Sequence, residues 1–346
     1  MVALICCKFI FYWQNHRLFT IKFFAKTQAL LYTETMIVAE GICKSYNGIQ
    51  ALSGVSFHIG EGEIVGILGR SDSGKTTLMS ILSGCIHADS GYAKIGGFDL
   101  AKKTIEAKRS FGYVPSRSLL YPDMTVHGFL NFAGRLRGIP EKKLGEAVFE
   151  CLRVVSGEYL LNRKISGLNR FEARLINFAQ AVIAKPPVLL IDAPTAGLEP
   201  LETQRIRNLI GQLSLSHTIL LSTSLLYEAA ELCSRVIILN GGKVAADRKM
   251  EELSGRTNGL QLRMRIEGDE EIIRRALMPL EDEDYALCYT ERTEEKNVFR
   301  ISVECDHDIR RKISGICAEN KLAILEMRQT SVSLEDIYFQ LTSDST

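Results

Sequence analysis

The octapeptide GRSDSGKT at residues 69–76 constrains this chain more than any other feature, because it matches the pattern G-x-x-x-x-G-K-[ST]. It follows the apolar run IVGILG and precedes TTLMSIL, so it reads as the loop between a strand and a helix. Glycines let backbone N–H groups turn inward around phosphate oxygens, Lys75 supplies a point charge to the β- and γ-phosphates, and Thr76 offers a hydroxyl to Mg²⁺. The helix that opens there adds the positive end of its dipole. Gly69, Arg70, Ser71, Asp72, Ser73, Gly74, Lys75, Thr76 and Thr77 are therefore the candidate nucleotide-binding loop.

From Met36 to about Lys249 short β-branched runs alternate with helical stretches, which predicts an α/β domain. VGILG at 65–69 and VLLID at 188–192 read as buried parallel strands. Asp192 closes the second, where a carboxylate can hold Mg²⁺ through water beside Thr76. From about Ser254 the rhythm changes, and residues 256–346 carry 13 basic and 19 acidic side chains, a net charge of −6. Strand LQLRMRIE, helix DEEIIRRAL, strands YALCYT and NVFRISVE, helix HDIRRKISGICAEN and strand LAILEMR form the order β-α-β-β-α-β, ahead of a last helix at SLEDIYFQL. The chain thus divides into residues 1–35, 36–253 and 254–346, the last a small α+β ferredoxin-like domain without nucleophile, metal cluster or glycine loop. Such a domain is expected to regulate the first or to stabilise a dimer.

Composition removes several alternatives. Forty-two Lys and Arg against 41 Asp and Glu leave a net charge of +1, which gives nucleic-acid binding no support. Nine cysteines, an odd number with no C-x-x-C pair and no zinc spacing, read as reduced thiols of a cytosolic protein. No run of eighteen uncharged apolar residues predicts a membrane span. Residues 1–35 are aromatic, apolar and basic, but Lys8 interrupts the run a signal peptide needs. The expected true start is Met36, immediately before MIVAEGICKSY.

Taken in order, SYNGIQALSGVSF, the phosphate loop, GYVPS, YPDMTVHGFL, ISGLN, VLLIDAP, TAGLEP and LSTSLLYEAAELC resemble one family from Met36 to Thr346. It is the nucleotide-binding subunit of ABC transporters, export type with an extra C-terminal domain. The resemblance implies a P-loop NTPase fold of the ABC type, with a RecA-like core, an antiparallel β subdomain and a helical subdomain. It implies ATP and Mg²⁺ as cofactors, with Tyr46 stacking on adenine. Two such domains would sandwich two ATP molecules, each phosphate loop facing the partner's signature segment, here Ile165 followed by Ser166, Gly167, Leu168 and Asn169. Residues 115–137 would face an integral membrane permease, which places the subunit in the cytoplasm, peripheral on the inner face of the membrane.

Against that pattern the groups that serve hydrolysis are missing. The family's glutamate after the strand-ending aspartate is Ala193, its glutamine is Ser116 and its switch histidine is Ser224. A methyl group cannot accept a proton, and losing a general base forfeits about 10² to 10⁴ in rate. Leu168 puts bulk where the signature has a second glycine, Asp72 sets a carboxylate at a usual glycine of the loop, and Glu199 replaces an aspartate at the subunit seam. The expectation is a folded, degenerate subunit that binds Mg-ATP and pairs, favourably as a heterodimer, with an intact partner. A nucleotide-sensing regulatory or scaffold protein is the alternative. A translation-type ABC protein would carry two cassettes where this chain has one phosphate loop, and a small-molecule kinase would lack the ISGLN helix. Leu175, Phe178, Ala179 and Val182 in that helix read as its buried stripe.

Overall fold

The computed structural model describes residues 35–255, 260–277, 285–292, 297–305 and 308–331. The expectations for residues 1–34 and for the helix at 333–341 lie outside them. The chain begins with β1 (Thr35–Tyr46), β2 (Ile49–Gly60), β3 (Ile64–Leu68), α1 (Lys75–Leu82), β4 (Ser90–Ile95), β5 (Phe98–Asp99), α2 (Thr104–Arg109) and β6 (Phe111–Val114). It continues through α3 (Val126–Leu136), α4 (Glu141–Val154), α5 (Arg170–Val182), β7 (Val188–Asp192), α6 (Pro200–Leu213), β8 (Thr218–Thr223), α7 (Leu226–Leu232), β9 (Arg235–Asn240), β10 (Lys243–Lys249) and α8 (Met250–Gly255). The last part is β11 (Leu260–Glu267), α9 (Glu270–Leu277), β12 (Tyr285–Arg292), β13 (Val298–Cys305), α10 (Arg310–Glu319) and β14 (Ala323–Ser331).

The central sheet has the order β10-β9-β3-β8-β7-β6, parallel except for the edge pair β10 and β9. Its strands read as unbroken apolar runs because both faces are covered. Val188 and Leu190 of β7 point to one core with Val65 and Ile67 of β3, while Leu189 and Ile191 point to the other with Leu68. The first core is closed by Leu78, Met79, Ile81 and Leu82 of α1 and by the antiparallel sheet β2-β1-β4-β5. The second is closed by α3, α4, α5 and α6, and the stripe Leu175, Phe178, Ala179 and Val182 is buried in it as the helical spacing predicts. The mixed α/β cassette thus has the expected three parts: parallel core, antiparallel β subdomain and helical subdomain. α8 still belongs to this body, since Met250 and Leu253 bury in its core.

The second domain has the sheet order β12-β13-β11-β14, every pairing antiparallel, with the chain order β-α-β-β-α-β. Leu262, Met264 and Ile266 alternate inward along β11 and pack with Ile273 and Leu277 of α9 and Ile313 and Cys317 of α10. Arg263 between them is exposed, so the period of two is the signal that sets which face meets the helices.

Phe178 is fully buried at the centre of the larger core. Phe178→Ala should cost about 3–5 kcal/mol of stability, because a large cavity is left between α5 and the sheet. Urea denaturation followed by circular dichroism measures it.

Candidate functional site

The sheet topology decides which polar groups meet. β3, β8, β7 and β6 are parallel neighbours, so their carboxyl ends lie along one edge, with Leu68 opposite Thr223, Asp192 opposite Ser222 and Val114 opposite Ile191. Residues 69–77 leave β3 there, Ser116 follows β6, Ala193 follows β7 and Ser224 follows β8. Candidates spread over 155 positions of sequence, from Gly69 to Ser224, thus converge on the edge where open parallel sheets bind their ligands.

Two glycines make the loop possible. Gly74 caps α1 with φ of 99°, and a Cβ there would stand 2.5 Å from the carbonyl oxygen of Ala51. At Gly69 a Cβ would stand 2.4 Å from Ser73 Oγ and 2.6 Å from the Leu239 carbonyl oxygen. Asp72 has φ of 66°, a left-handed conformation that Asp tolerates better than most residues, and the residue is exposed. Arg70, Ser71 and Thr76 are also exposed, and Ser73 is buried.

Lys75 folds back over its own loop, donating to the carbonyls of Gly69 at 2.8 Å and Arg70 at 2.6 Å and to Ser73 Oγ at 3.4 Å. Burial pushes its ammonium below the ordinary lysine value, while the charges of Asp192 and Asp72 push it back up. The ammonium is thus a partly desolvated cation parked on the loop's own carbonyls, from which it can turn to an anionic ligand.

Asp192 is 1% exposed. Its Oδ1 accepts the hydroxyl of Ser222, and its Oδ2 is buried with no hydrogen-bond partner. An ionised carboxylate oxygen left bare in the interior is costly, and a divalent cation or its water shell is the chemistry that satisfies it. The donor set of Asp192 and the Thr76 hydroxyl, oxygen only, suits Mg²⁺. Among the described residues no group of three or more His, Cys, Asp or Glu side chains offers another metal centre.

Ser116, Ala193 and Ser224 lie just beyond the carboxyl ends of β6, β7 and β8. Ala193 is held at φ of 44° with its N–H donated to the Ser222 carbonyl at 3.0 Å, so a methyl group stands directly after Asp192. The main chain at Pro115 and Ser116 is held by the buried Arg174, which donates to their carbonyls at 2.8 Å and 3.0 Å. Ser224 is exposed at the end of β8. No imidazole or glutamine occupies any of these places.

Ser166 and Gly167 are exposed in the short 3₁₀ turn Ile165–Gly167 ahead of α5. Leu168 turns part of its side chain into the larger core, which accommodates some of its bulk. Asn169 caps α5, its side chain accepting the Glu172 N–H at 2.8 Å, and Arg163 ties the turn down through Gly167 and Glu172 at 2.6 Å each. Tyr46 is 45% exposed at the hairpin between β1 and β2, with the Lys44 ammonium 5.6 Å from its ring centre. β2 carries that hairpin toward the loop, since its Ala51 touches Gly74.

Ser222 and Arg174 escaped the reading of the sequence. Ser222 had a signal: TILLST turns polar at its last two positions although the whole strand is buried. Arg174 had none, because a charged residue inside a helix ordinarily lies on the solvated face.

The ABC transporter family pattern matches residues 52–196. Over 310 residues the chain is 29% identical to YxlF, an uncharacterized ABC transporter ATP-binding protein of Bacillus subtilis (strain 168), across 88% of this chain and 99% of that one. It is 33% identical over 225 residues to the linearmycin resistance ATP-binding protein LnrL of the same organism, across 65% of this chain and 72% of LnrL. Among solved structures it is similar to the ATP-binding cassette MJ0796 in a dimeric, post-hydrolysis state bound to ADP and Pi, with a TM-score of 0.57 and 25% identity over 62% of this chain and 99% of that one.

Ser222→Ala should lower stability by about 1–3 kcal/mol, because it removes the hydrogen bond that the Asp192 carboxylate makes and leaves both of its oxygens bare. Added Mg²⁺ with ATP should recover part of the loss, as thermal denaturation with and without nucleotide would show.

Proposed function

Because the chain belongs to the family of ABC transporter ATP-binding proteins, we propose that it is a subunit that binds Mg-ATP at residues 69–77 and Asp192 but hydrolyses it poorly at its own site. The observation that carries this reading is the contrast at one sheet edge. Lys75 and the bare Oδ2 of Asp192 supply the groups that hold phosphate and metal, while the adjacent Ala193, Ser116 and Ser224 supply none that position or deprotonate water.

When bound, Mg²⁺ would neutralise charge on the β- and γ-phosphates. The chain's own part is to hold: Thr76 and Asp192 toward the metal, Lys75 toward the oligophosphate, Tyr46 against the base. Gly69, Arg70, Ser71, Asp72, Ser73, Gly74 and Thr77 complete the cradle, which favours the anion through backbone N–H groups and the start of α1. Without a group to take the proton of an attacking water, the closed complex persists instead of turning over quickly.

Two further parts of the reading concern partners. Ser166, Gly167, Leu168 and Asn169 would serve the phosphate loop of a second ATP-binding subunit, and a catalytically intact one would compensate for the losses here. The dimer formed by MJ0796 with ADP and Pi supports pairing around nucleotide. A membrane permease would dock on the helical subdomain, where a cleft of about 490 Å³ opens between Phe111, Tyr113, Phe129 and Leu136. The exposed apolar side chains Ile105, Leu119 and Leu136 at its lining favour a protein partner there. Among the described residues no helix is long and apolar enough to cross a membrane. The names of LnrL, a resistance protein, and of a Nod factor export ATP-binding protein 32% identical over 218 residues favour export as the direction.

Titration of the full chain with a fluorescent ATP analogue and Mg²⁺, with phosphate release followed in the same samples, tests the reading. Binding without appreciable release is expected, and Lys75→Ala should lower affinity at least about tenfold, the effect of losing a charge-assisted contact. Ala193→Glu alone should raise release little while Ser116 and Ser224 remain, since groups acting on one step do not contribute additively. Release by the unmodified chain at a rate typical of active family members would overturn the proposal.

A further inference from the structure

Behind the groups that face the nucleotide lies a second hydrogen-bonded unit that the proposed chemistry does not use. Glu228 of α7 is 1% exposed, and its two carboxylate oxygens are both occupied. Oε1 accepts the Thr195 hydroxyl at 2.8 Å and Oε2 accepts the Thr223 hydroxyl. The Thr223 oxygen also accepts the N–H of Leu225 at 3.0 Å. Both threonines are buried as well. A carboxylate taken out of water is costly to keep, and hydrophobic packing of the fully buried Ala229 already seats α7 on the sheet. Anchoring that helix does not by itself require the charge.

What the carboxylate joins is informative. Thr223 ends β8, next to Ser222, whose hydroxyl is bonded to Asp192 and whose carbonyl accepts the N–H of Ala193. Thr195 lies three residues beyond Asp192, in the segment 193–199 that leads into α6. Two residues further on, the Gly197 carbonyl accepts the guanidinium of Arg170, the first residue of α5 after the signature turn, at 2.8 Å. A path therefore runs from Asp192 to Arg170, by hydrogen bonds from Asp192 to Ser222, from Thr223 to Thr195 through Glu228 and from Gly197 to Arg170, and by short stretches of main chain from 222 to 223 and from 195 to 197. The bonds of Ser222 to Asp192 and of both threonines to Glu228 are buried, where linked hydrogen bonds reinforce one another, and the exposed Gly197–Arg170 bond is the surface end of the path.

We propose that Glu228 is a positioning residue that couples occupancy of this subunit's own nucleotide site to the segment 193–199 and, through Gly197, to the signature turn it presents to its partner. The coupling rests on the proposed reading of residues 69–77 and Asp192 as the Mg-ATP site. It gives a subunit that hydrolyses poorly a use for its nucleotide: ATP bound here sets the surface on which the partner's site is completed.

Hydrogen–deuterium exchange on the full chain, with and without Mg-ATP, tests the coupling within one subunit. In the unmodified chain Mg-ATP should slow exchange in residues 69–77 and also in 193–199, the latter at least about fivefold, the low end of ordinary coupling between sites. Glu228→Ala should keep the slowing in 69–77 and lose it in 193–199. Glu228→Gln, which retains one acceptor and adds a donor that a rotated threonine hydroxyl can accept, should restore most of it. Thr195→Val, close to isosteric, should reproduce the loss without emptying the place of the carboxylate. Slowing of 193–199 that survives both Glu228→Ala and Thr195→Val, or that is absent from the unmodified chain while 69–77 responds, would overturn the inference. Loss of the response at 69–77 in Glu228→Ala and Thr195→Val together would reduce Glu228 to a structural role and overturn it too. No slowing in 69–77 of the unmodified chain would instead overturn the reading of the site, and the coupling would fall with it.

Discussion

Burial of the parallel sheet on both faces is the constraint from which the rest of the cassette follows. Once Val188, Leu190, Val65 and Ile67 are committed to one core and Leu189, Ile191 and Leu68 to the other, the strands have no solvated face on which to carry polar groups. Polar chemistry is pushed to the strand ends, and parallel connection puts the carboxyl ends of β3, β8, β7 and β6 on the same edge. The phosphate loop, Asp192, Ser222 and the three altered positions are neighbours for that reason alone.

On the proposed reading, binding and turnover are separated in one fold. Holding a triphosphate draws on backbone N–H groups, a desolvated lysine and an aspartate with a bare oxygen, all of them tied into the scaffold by the loop geometry and by Ser222. On the same reading turnover would draw on side chains in the first residues after the strands, at Ser116, Ala193 and Ser224, outside either core. Ala193 illustrates the point: its left-handed backbone and its hydrogen bond to Ser222 are kept, whereas its side chain ends at a methyl group.

Asp72 and Leu168 read as defects when each is measured against a motif, and the structure changes what they mean physically. Asp72 stands in the left-handed conformation that a glycine would otherwise supply, with its side chain exposed. Leu168 spends part of its bulk in the helical core. Both substitutions are thus compatible with the backbone course of the loop and of the signature turn, which is why the surrounding caps, Gly74 for α1 and Asn169 for α5, remain in place.

The sequence by itself determined the class of fold, the phosphate-loop motif, the buried strand 188–192, the strand before the loop to within one residue (expected at 65–69, observed at 64–68), and the β-α-β-β-α-β order of the second domain. These are written in local patterns, glycine spacing and periods of two or 3.6, that need no knowledge of distant residues. Only the tertiary structure decided that Ser222 satisfies one oxygen of Asp192 and leaves the other bare, that Arg174 holds the main chain at Ser116, and that Glu228 binds Thr195 to Thr223. Each of these pairs joins residues 5 to 58 positions apart through polar atoms that are buried or, at Ser116, partly buried. A serine, an arginine or a glutamate reads in sequence as a surface residue, and its partner is known only when folding has removed the water that would otherwise have served.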